Sequence, residues 1–278
     1  MAAVNYWSKQ GMPVSFKSCC NGPHSLKPHF HQEVSVAFIR RGSCNARFHS
    51  LYHLTSGTLL VIPAGVVHNC QPVHSSDWQF DMVYLDKGFA EQMGTGFLGR
   101  TTLVKLGNDA DRRSVSDCFT AMRRALASGM DMRAPLHTLC DAFDGKDVSI
   151  APHQKRTIPQ VIGDLLLFIS GHYRQPLSLD QLADYAGINK FELIRQFDMQ
   201  MGLSPKQYIL NLRVNRSKKS LLTTNEPIAA IATDCGFYDQ SHYDAAFHAF
   251  TGVTPIDYRQ SVSMGLEKRG EAKSLDEG

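Results

Sequence analysis

The sequence predicts an α+β protein: an antiparallel β domain over residues 1–108, a helical segment over 109–157 and an all-α domain over 158–260. Three observations carry this prediction. Short runs such as "VSVAFI", "TLLVIP" and "FDMVYL" are rich in β-branched or aromatic residues and are separated by Gly, Pro, Asn and Ser. From about Asp109 the apolar period changes from that of a strand to that of a helix. Near the end of the chain, one helical unit occurs twice.

Composition bounds the rest. A chain of 278 residues with 43% hydrophobic residues can bury a full core, and its length favours two domains over one. No apolar run reaches the roughly 18 residues needed to span a bilayer, and the opening "MAAVNYWSKQGMPVSF" lacks the apolar stretch of a secretory signal, so a cytoplasmic protein with no membrane partner is expected. Seven cysteines, an odd number without a Cys-x-x-Cys pair, suggest neither a disulfide framework nor a thiolate zinc cage. The net charge of +3 is too small to identify a partner.

Taken in order, residues 14–86 favour strands. In "RRSVSDCFTAMRRALASGM" the residues Val115, Phe119, Met122 and Leu126 fall on one stripe of a helix. With Arg123 and Arg124, that stripe either pairs two copies of the chain or packs on the β domain. A second short helix is expected over "APLHTLCDAF". The stretch "DGKDVSIAPHQKRT" (144–157) is polar, carries Gly and Pro, shows no period and marks a linker. Residues 158–259 have helical patterning throughout, and 261–278 form a polar tail with the composition of a disordered segment.

The repeat lies inside the helical domain. "FDMQMGLSPKQY" (197–208) aligns with "FHAFTGVTPIDY" (247–258), and "LDQLADYAGI" (179–188) aligns with "IAAIATDCGF" (228–237). Each copy is a helix, a glycine turn and a second helix, with Ala183, Ala186 and Gly187 in one and Ala232, Cys235 and Gly236 in the other. Small residues let the two helices approach and glycine permits the turn, which is the pattern of a helix-turn-helix. Ser178 with Gln181 has the spacing of a capping box before the first unit, and Asn225 and Pro227 mark a helix start before the second. "PKQYILNLRVNRSKKSLL" connects the copies as one helix of roughly 16 residues, about 24 Å long. Adding the width of the motifs brings the two second helices near the spacing of about 34 Å between successive major grooves, which favours double-stranded DNA as the partner. Lys190, Phe191, Ile194 and Arg195 in the first unit and Gln240, Ser241 and His242 in the second would face base edges. Arg213, Arg216, Lys218 and Lys219 would meet phosphates.

This region, about 100 residues, resembles the DNA-binding domain of AraC/XylS-type transcriptional regulators, most strongly through "IAAIATDCGFYDQSHYDAAFHAFTGVTPIDYR". Members of that family commonly carry arginine where this chain has Ala245, so the second unit is expected to read fewer bases or to rely more on Gln240 and His242. Residues 157–260 hold nine Lys/Arg against ten Asp/Glu, so binding would depend on local positive patches and on a homodimer. The resemblance implies a small-molecule effector, and RNA polymerase as a further partner if the protein activates transcription.

The N-terminal domain resembles the cupin β-barrel through "PHFHQEVSVAFIRRG" (28–42) and "GTLLVIPAGVVHN" (57–69), the latter with cupin spacing at Gly57, Pro63, Gly65 and His68. In metal-binding cupins two histidines, a glutamate and a third histidine converge inside the barrel. Here His29, His31 and His68 stand at the histidine positions, Ser35 replaces the glutamate, and Glu33 lies about 7 Å away along the strand. No metal or other cofactor is therefore expected, and any metal would be held by those three histidines. Effector contacts are expected from His29, His31, His68, Trp78 and Tyr84, because alternation puts Trp78, Phe80, Met82 and Tyr84 on one face of a strand. Two alternatives stand beside this sensor reading. One is a metal-dependent cupin enzyme; the other is a thiol-based redox sensor using Cys19, Cys20, Cys44 and Cys70.

Overall fold

The computed structural model describes residues 3–22, 27–48, 50–94, 96–143, 148–150 and 158–260. Ten strands are described: β1 (Ala3–Ser8), β2 (Val14–Cys20), β3 (Val34–Arg41), β4 (Ser43–Arg47), β5 (Leu51–Thr55), β6 (Thr58–Ile62), β7 (Asn69–Pro72), β8 (Gln79–Leu85), β9 (Thr102–Lys105) and β10 (Val148–Ile150). They form two antiparallel sheets, one ordered β1-β2-β8-β3-β6-β9-β10 and the other β5-β4-β7. The expected barrel is thus two facing sheets rather than one closed ring. Alternation along β8 sorts its two faces. Phe80, Met82 and Tyr84 join the core between the sheets, while Val83 and Leu85 face outward against helices.

Those helices are α1 (Lys87–Gln92), α2 (Asp109–Ser128) and α3 (Arg133–Asp141). Asn108 caps α2 by accepting from the Asp111 amide, and Gly129, at φ 72°, ends it. The stripe Val115, Phe119, Met122 and Leu126 is buried against the outer face of the large sheet, with Phe119 fully buried 6.4 Å from the Phe38 ring. Burying a phenylalanine contributes about 1.5–3 kcal/mol. Between the two uses expected for the stripe, the structure chooses packing on the β domain. Arg123 follows it inward, pairing with the buried Asp81 at 3.7 Å, whereas Arg113, Asp117 and Arg124 face outward.

Sequence patterning missed three strands. β1 precedes the region where strands were expected, β9 follows it, and β10 lies inside the expected linker, paired with β9. The rest of 144–157 and the tail 261–278 fall outside the described residues.

The C-terminal domain holds α4 (Gln160–His172), α5 (Leu179–Ala186), α6 (Lys190–Met201), α7 (Pro205–Thr223), α8 (Ile228–Asp234) and α9 (Gln240–Thr251), with a last helical turn over 255–260. Ser178 and Gln181 form the expected capping box, and Ser204 with Gln207 forms another at the start of α7. Pro227 is the N-cap of α8 rather than its first helical residue. The connector α7 runs to 19 residues.

The two domains share their cores. Phe30 of the β domain lies among buried residues of α4 to α7 and stacks on Tyr208 at 4.9 Å. Its backbone N–H donates to Asn211 Oδ1 and its carbonyl accepts from Asn215 Nδ2, both at 2.8 Å. A second attachment joins β1 and β2 to the end of α9: Tyr6 Oη and Lys17 Nζ both donate to the Thr251 carbonyl, at 3.0 and 2.9 Å, and the Tyr6 and Tyr258 rings meet at 4.7 Å.

Candidate DNA interface and effector site

In each helix-turn-helix the turn rests on a glycine that no other residue replaces cheaply. Gly187 ends α5 at φ 65°. Gly236 follows α8 at φ +85°, where a Cβ would stand 2.5 Å from the Arg174 carbonyl oxygen. The second helices start on side-chain caps, since Asn189 accepts from the Glu192 amide and Asp239 from the His242 amide. The base-facing residues predicted in each unit therefore lie in the first two turns of α6 and the first turn of α9.

Lys190, Phe191, Arg195, Gln240, Ser241 and His242 are exposed there, Phe191 to 85%, and Ile194 is half-buried. The charged members are not idle. Lys190 Nζ pairs with Asp180 at 2.6 Å, and Arg195 is forked onto Glu192 at 2.9 and 2.6 Å. Hydrogen bonds from Arg195 and Gln196 hold the Glu192 carboxyl down to about 2. A phosphate or base contact by Arg195 would exchange one anionic or polar partner for another. The base-facing residues of the second unit carry no cation by contrast: Gln240 Nε2 reaches Asp244 at 3.4 Å, the His242 ring meets the edge of Phe237 at 5.5 Å, and Ala245 leaves open surface.

The basic group on α7 is divided by the structure. Arg213 is buried, donating from Nε to the Tyr173 carbonyl at 2.7 Å and from Nη2 to the Gln175 carbonyl at 2.8 Å. It satisfies the carbonyls just past the end of α4 and is not a phosphate ligand. Lys218 is half-buried and bonded to Asn215 Oδ1 at 3.1 Å; burial lowers its pKa, and it lines the cleft toward the β domain. Arg216 and Lys219 are exposed, and they also edge the cleft between the domains.

That cleft encloses about 530 Å³ and is lined in part by Glu33, Tyr84, Arg216, Lys218, Lys219 and Tyr258. Of the five residues expected at the effector site, only Tyr84 lines that cleft, and the three histidines are buried. Four of the five gather together. The rings of His29, His31 and His68 lie 4.4–5.1 Å apart by centroid, and Tyr84 lies 5.0 Å from His31. Trp78 does not join them. It is six residues from Tyr84 along an extended chain, about 20 Å, and packs on Phe80 at the far end.

Burial governs the titration of this group. It lowers His31 well below the usual imidazole range, with the neighbouring His29 adding to the effect, and it lowers His68 to about 4 although the Val66 carbonyl favours the charged ring. Burial likewise brings Lys17 down to about 7 and raises Tyr84, the latter helped by Glu33. At neutral pH His31 and His68 are uncharged acceptors. The thiols give no support to redox sensing: six of the seven cysteines are buried, and burial pushes Cys19 and Cys235 up to about 11, far from the reactive thiolate.

Sequence patterning missed Phe30, Asn211 and Asn215, which join the domains. The available signal was a pair of asparagines four apart in "YILNLRVNRS", polar residues repeated on one stripe of an apolar helix.

Residues 20–138 match the AraC-like ligand binding domain, and residues 182–261 match a helix-turn-helix domain. The chain belongs to the AraC family. Among curated proteins, this AraC-type chain is similar to the HTH-type transcriptional regulator GbdR of Pseudomonas aeruginosa, 28% identical over 120 residues, or 41% of this chain and 33% of GbdR. The match thus spans about a third of the length of that relative. The uncharacterized HTH-type transcriptional regulator YbfI of Bacillus subtilis is 26% identical over 227 residues, covering 77% of this chain and 80% of YbfI. The solved structure of ToxT from Vibrio cholerae superposes with a TM-score of 0.54 at 12% identity, covering 95% of this chain and 98% of ToxT. At that identity the likeness is one of fold.

Proposed function

We propose that this protein is a sequence-specific DNA-binding transcriptional regulator whose β domain binds a small effector and thereby modulates DNA binding, and that it is not an enzyme. The observation that carries the reading is the pair of capped helix-turn-helix units on one continuous helix, with Lys190, Phe191 and Arg195 exposed on the second helix of one and Gln240, Ser241 and His242 on that of the other. Phosphate contacts are reassigned to Arg216 and Lys219, because Arg213 and Lys218 are committed inside the protein. The effector would enter at the cleft between the domains, which Tyr84 lines, and would reach the buried His31, His29 and His68 only past that ring; a ligand that prefers one arrangement of the two domains can then shift the other. That cleft mixes basic and acidic walls and suits a polar or anionic small molecule. One ToxT structure carries an unsaturated fatty acid, an anion by chemistry. A homodimer fits a domain with no excess positive charge. Its interface would use the outward face of α2 with Arg113, Asp117 and Arg124, since the apolar stripe is spent on the sheet.

Fluorescence anisotropy tests this, titrating the full chain against duplexes from upstream of its own and neighbouring genes and against a scrambled duplex over a range of salt. A preference of roughly a thousandfold or more for one native duplex is expected. Equal affinity for every duplex at each salt concentration would remove the reading.

A further inference from the structure

The three histidines converge for a reason that lies in the backbone. Residues 29 and 68 form an isolated antiparallel bridge, His29 N–H to the His68 carbonyl at 2.9 Å and His68 N–H to the His29 carbonyl at 2.8 Å. Gly65 N–H adds a third bond to the His31 carbonyl at 2.8 Å. In extended chain alternate side chains share a face, so His29 and His31 turn to one side and meet His68 across the bridge, while Phe30 turns to the other and enters the helical domain.

The ring nitrogens are arranged as ligands. His29 Nδ1 and His68 Nδ1 each lie 2.9 Å from a backbone carbonyl, of Lys27 and Val66 respectively. A carbonyl only accepts, so the proton sits on Nδ1 and each Nε2 carries a lone pair, the usual orientation of a metal-bound imidazole. His68 Nε2 and His31 Nδ1 are buried without a protein partner. The nitrogens of the three residues lie within 4.8 Å of one another, and all three residues are buried. Nitrogen donors at about 2.1 Å from a shared tetrahedral ion stand about 3.4 Å apart, so the donors, now within 4.8 Å of one another, must draw together by up to about 1.4 Å to close on one ion. A set of neutral imidazoles without a carboxylate suits zinc, cobalt, nickel or copper ions and disfavours magnesium and calcium.

We propose that His29, His31 and His68 hold one divalent transition-metal ion, which acts as a staple beneath the connecting helix α7. This reverses the expectation drawn from Ser35 at the cupin carboxylate position; loss of that carboxylate leaves three neutral imidazoles, which can hold the ion with its fourth position open to water or a small ligand. The staple lies back to back with the Asn211 and Asn215 clamp: metal fixes residues 29 and 31, and α7 grips residue 30 between them. The proposal concerns metal binding and domain docking, and it does not rest on the regulator reading above.

The experiment uses the full chain, free of any affinity tag and stripped with a chelator. It is titrated with zinc chloride in a calorimeter and with cobalt chloride followed by visible absorption, with metal content measured by mass spectrometry after gel filtration. One equivalent per chain is expected. His68→Gln and His31→Asn, confirmed as folded by circular dichroism, should each weaken binding at least tenfold, whereas His53→Ala on the exposed face of β5 should leave it unchanged. The double variant Asn211→Ala, Asn215→Ala should keep the stoichiometry but lower affinity severalfold, because the ligands lose their support from α7. A folded wild type that takes up no stoichiometric metal, or a folded His68→Gln that binds as tightly as wild type, overturns the site. Unchanged affinity in the asparagine double variant overturns the staple.

Discussion

The two helix-turn-helix units share a pattern but differ in what holds them and in what they offer. The first has a charged leading helix whose Lys190 and Arg195 are already paired with Asp180 and Glu192. The second offers Gln240, Ser241 and His242 without a Lys or Arg, and its far end is held to the β domain by hydrogen bonds to the Thr251 carbonyl and by the Tyr6–Tyr258 ring contact just beyond it. The first unit is therefore suited to electrostatic recognition that must displace its own carboxylates. The second is suited to report the state of the β domain, since a shift of β1 or β2 moves the end of α9 directly. Repetition in sequence did not produce two equivalent readers.

The strongest way to break this contrast is through the core of the second unit. Phe247 is fully buried between Tyr243 and Tyr258, at 5.6 and 5.5 Å, and Phe247→Ala should cost about 3–5 kcal/mol in urea unfolding. Because Tyr258 touches Tyr6, the same variant should also loosen β1, seen as faster amide exchange there. Exchange confined to α8 and α9 would show the attachment to be nominal.

Next comes pH. The buried Lys17 has a folded pKa of about 7 against an ordinary value of 10.5. Between those values the unfolded chain binds more protons than the folded one, so stability climbs as pH rises from about 7 to 10 and the contribution is flat outside that window. At about 1.4 kcal/mol per pH unit for one proton, the gain should be a few kcal/mol. The denaturation midpoint should rise from pH 7 to 9.5 in the wild type, and the rise should be largely absent from Lys17→Met.

Arg195→Ala sharpens the first unit. If Arg195 reads a base, affinity for the preferred duplex should fall by about 1–3 kcal/mol and discrimination should relax at one part of the site only. A uniform loss across sequences would make Arg195 a phosphate contact instead. The smallest effect is expected from Ala245→Arg, which adds a cation to the second unit. Affinity should tighten by about 1 kcal/mol or less, with a salt dependence steeper by about one counterion. An unchanged salt slope would mean that this face of α9 lies away from the DNA.

The chain itself determined a good deal. Strand runs, the helical stripe of α2, the repeat at 179–208 and 228–258, the Ser178 capping box and the need for Gly187 and Gly236 were all legible, because periodicity, capping and positive φ are properties of neighbours in sequence. The convergence of His29, His31 and His68 was legible only through a resemblance. Which face of a residue is used was not legible. Arg213, Lys218, Arg216 and Lys219 look alike on a helix, and two of them turn inward only because α4 and the β domain lie there. Trp78 and Tyr84 share a strand face yet stand at opposite ends of it. The tertiary structure alone decided that α2 spends its apolar stripe on the sheet, and that Phe30 enters a domain whose clamping asparagine lies 185 residues further along the chain. Contacts at that separation depend on how two finished surfaces meet, and no local pattern records which surfaces those are.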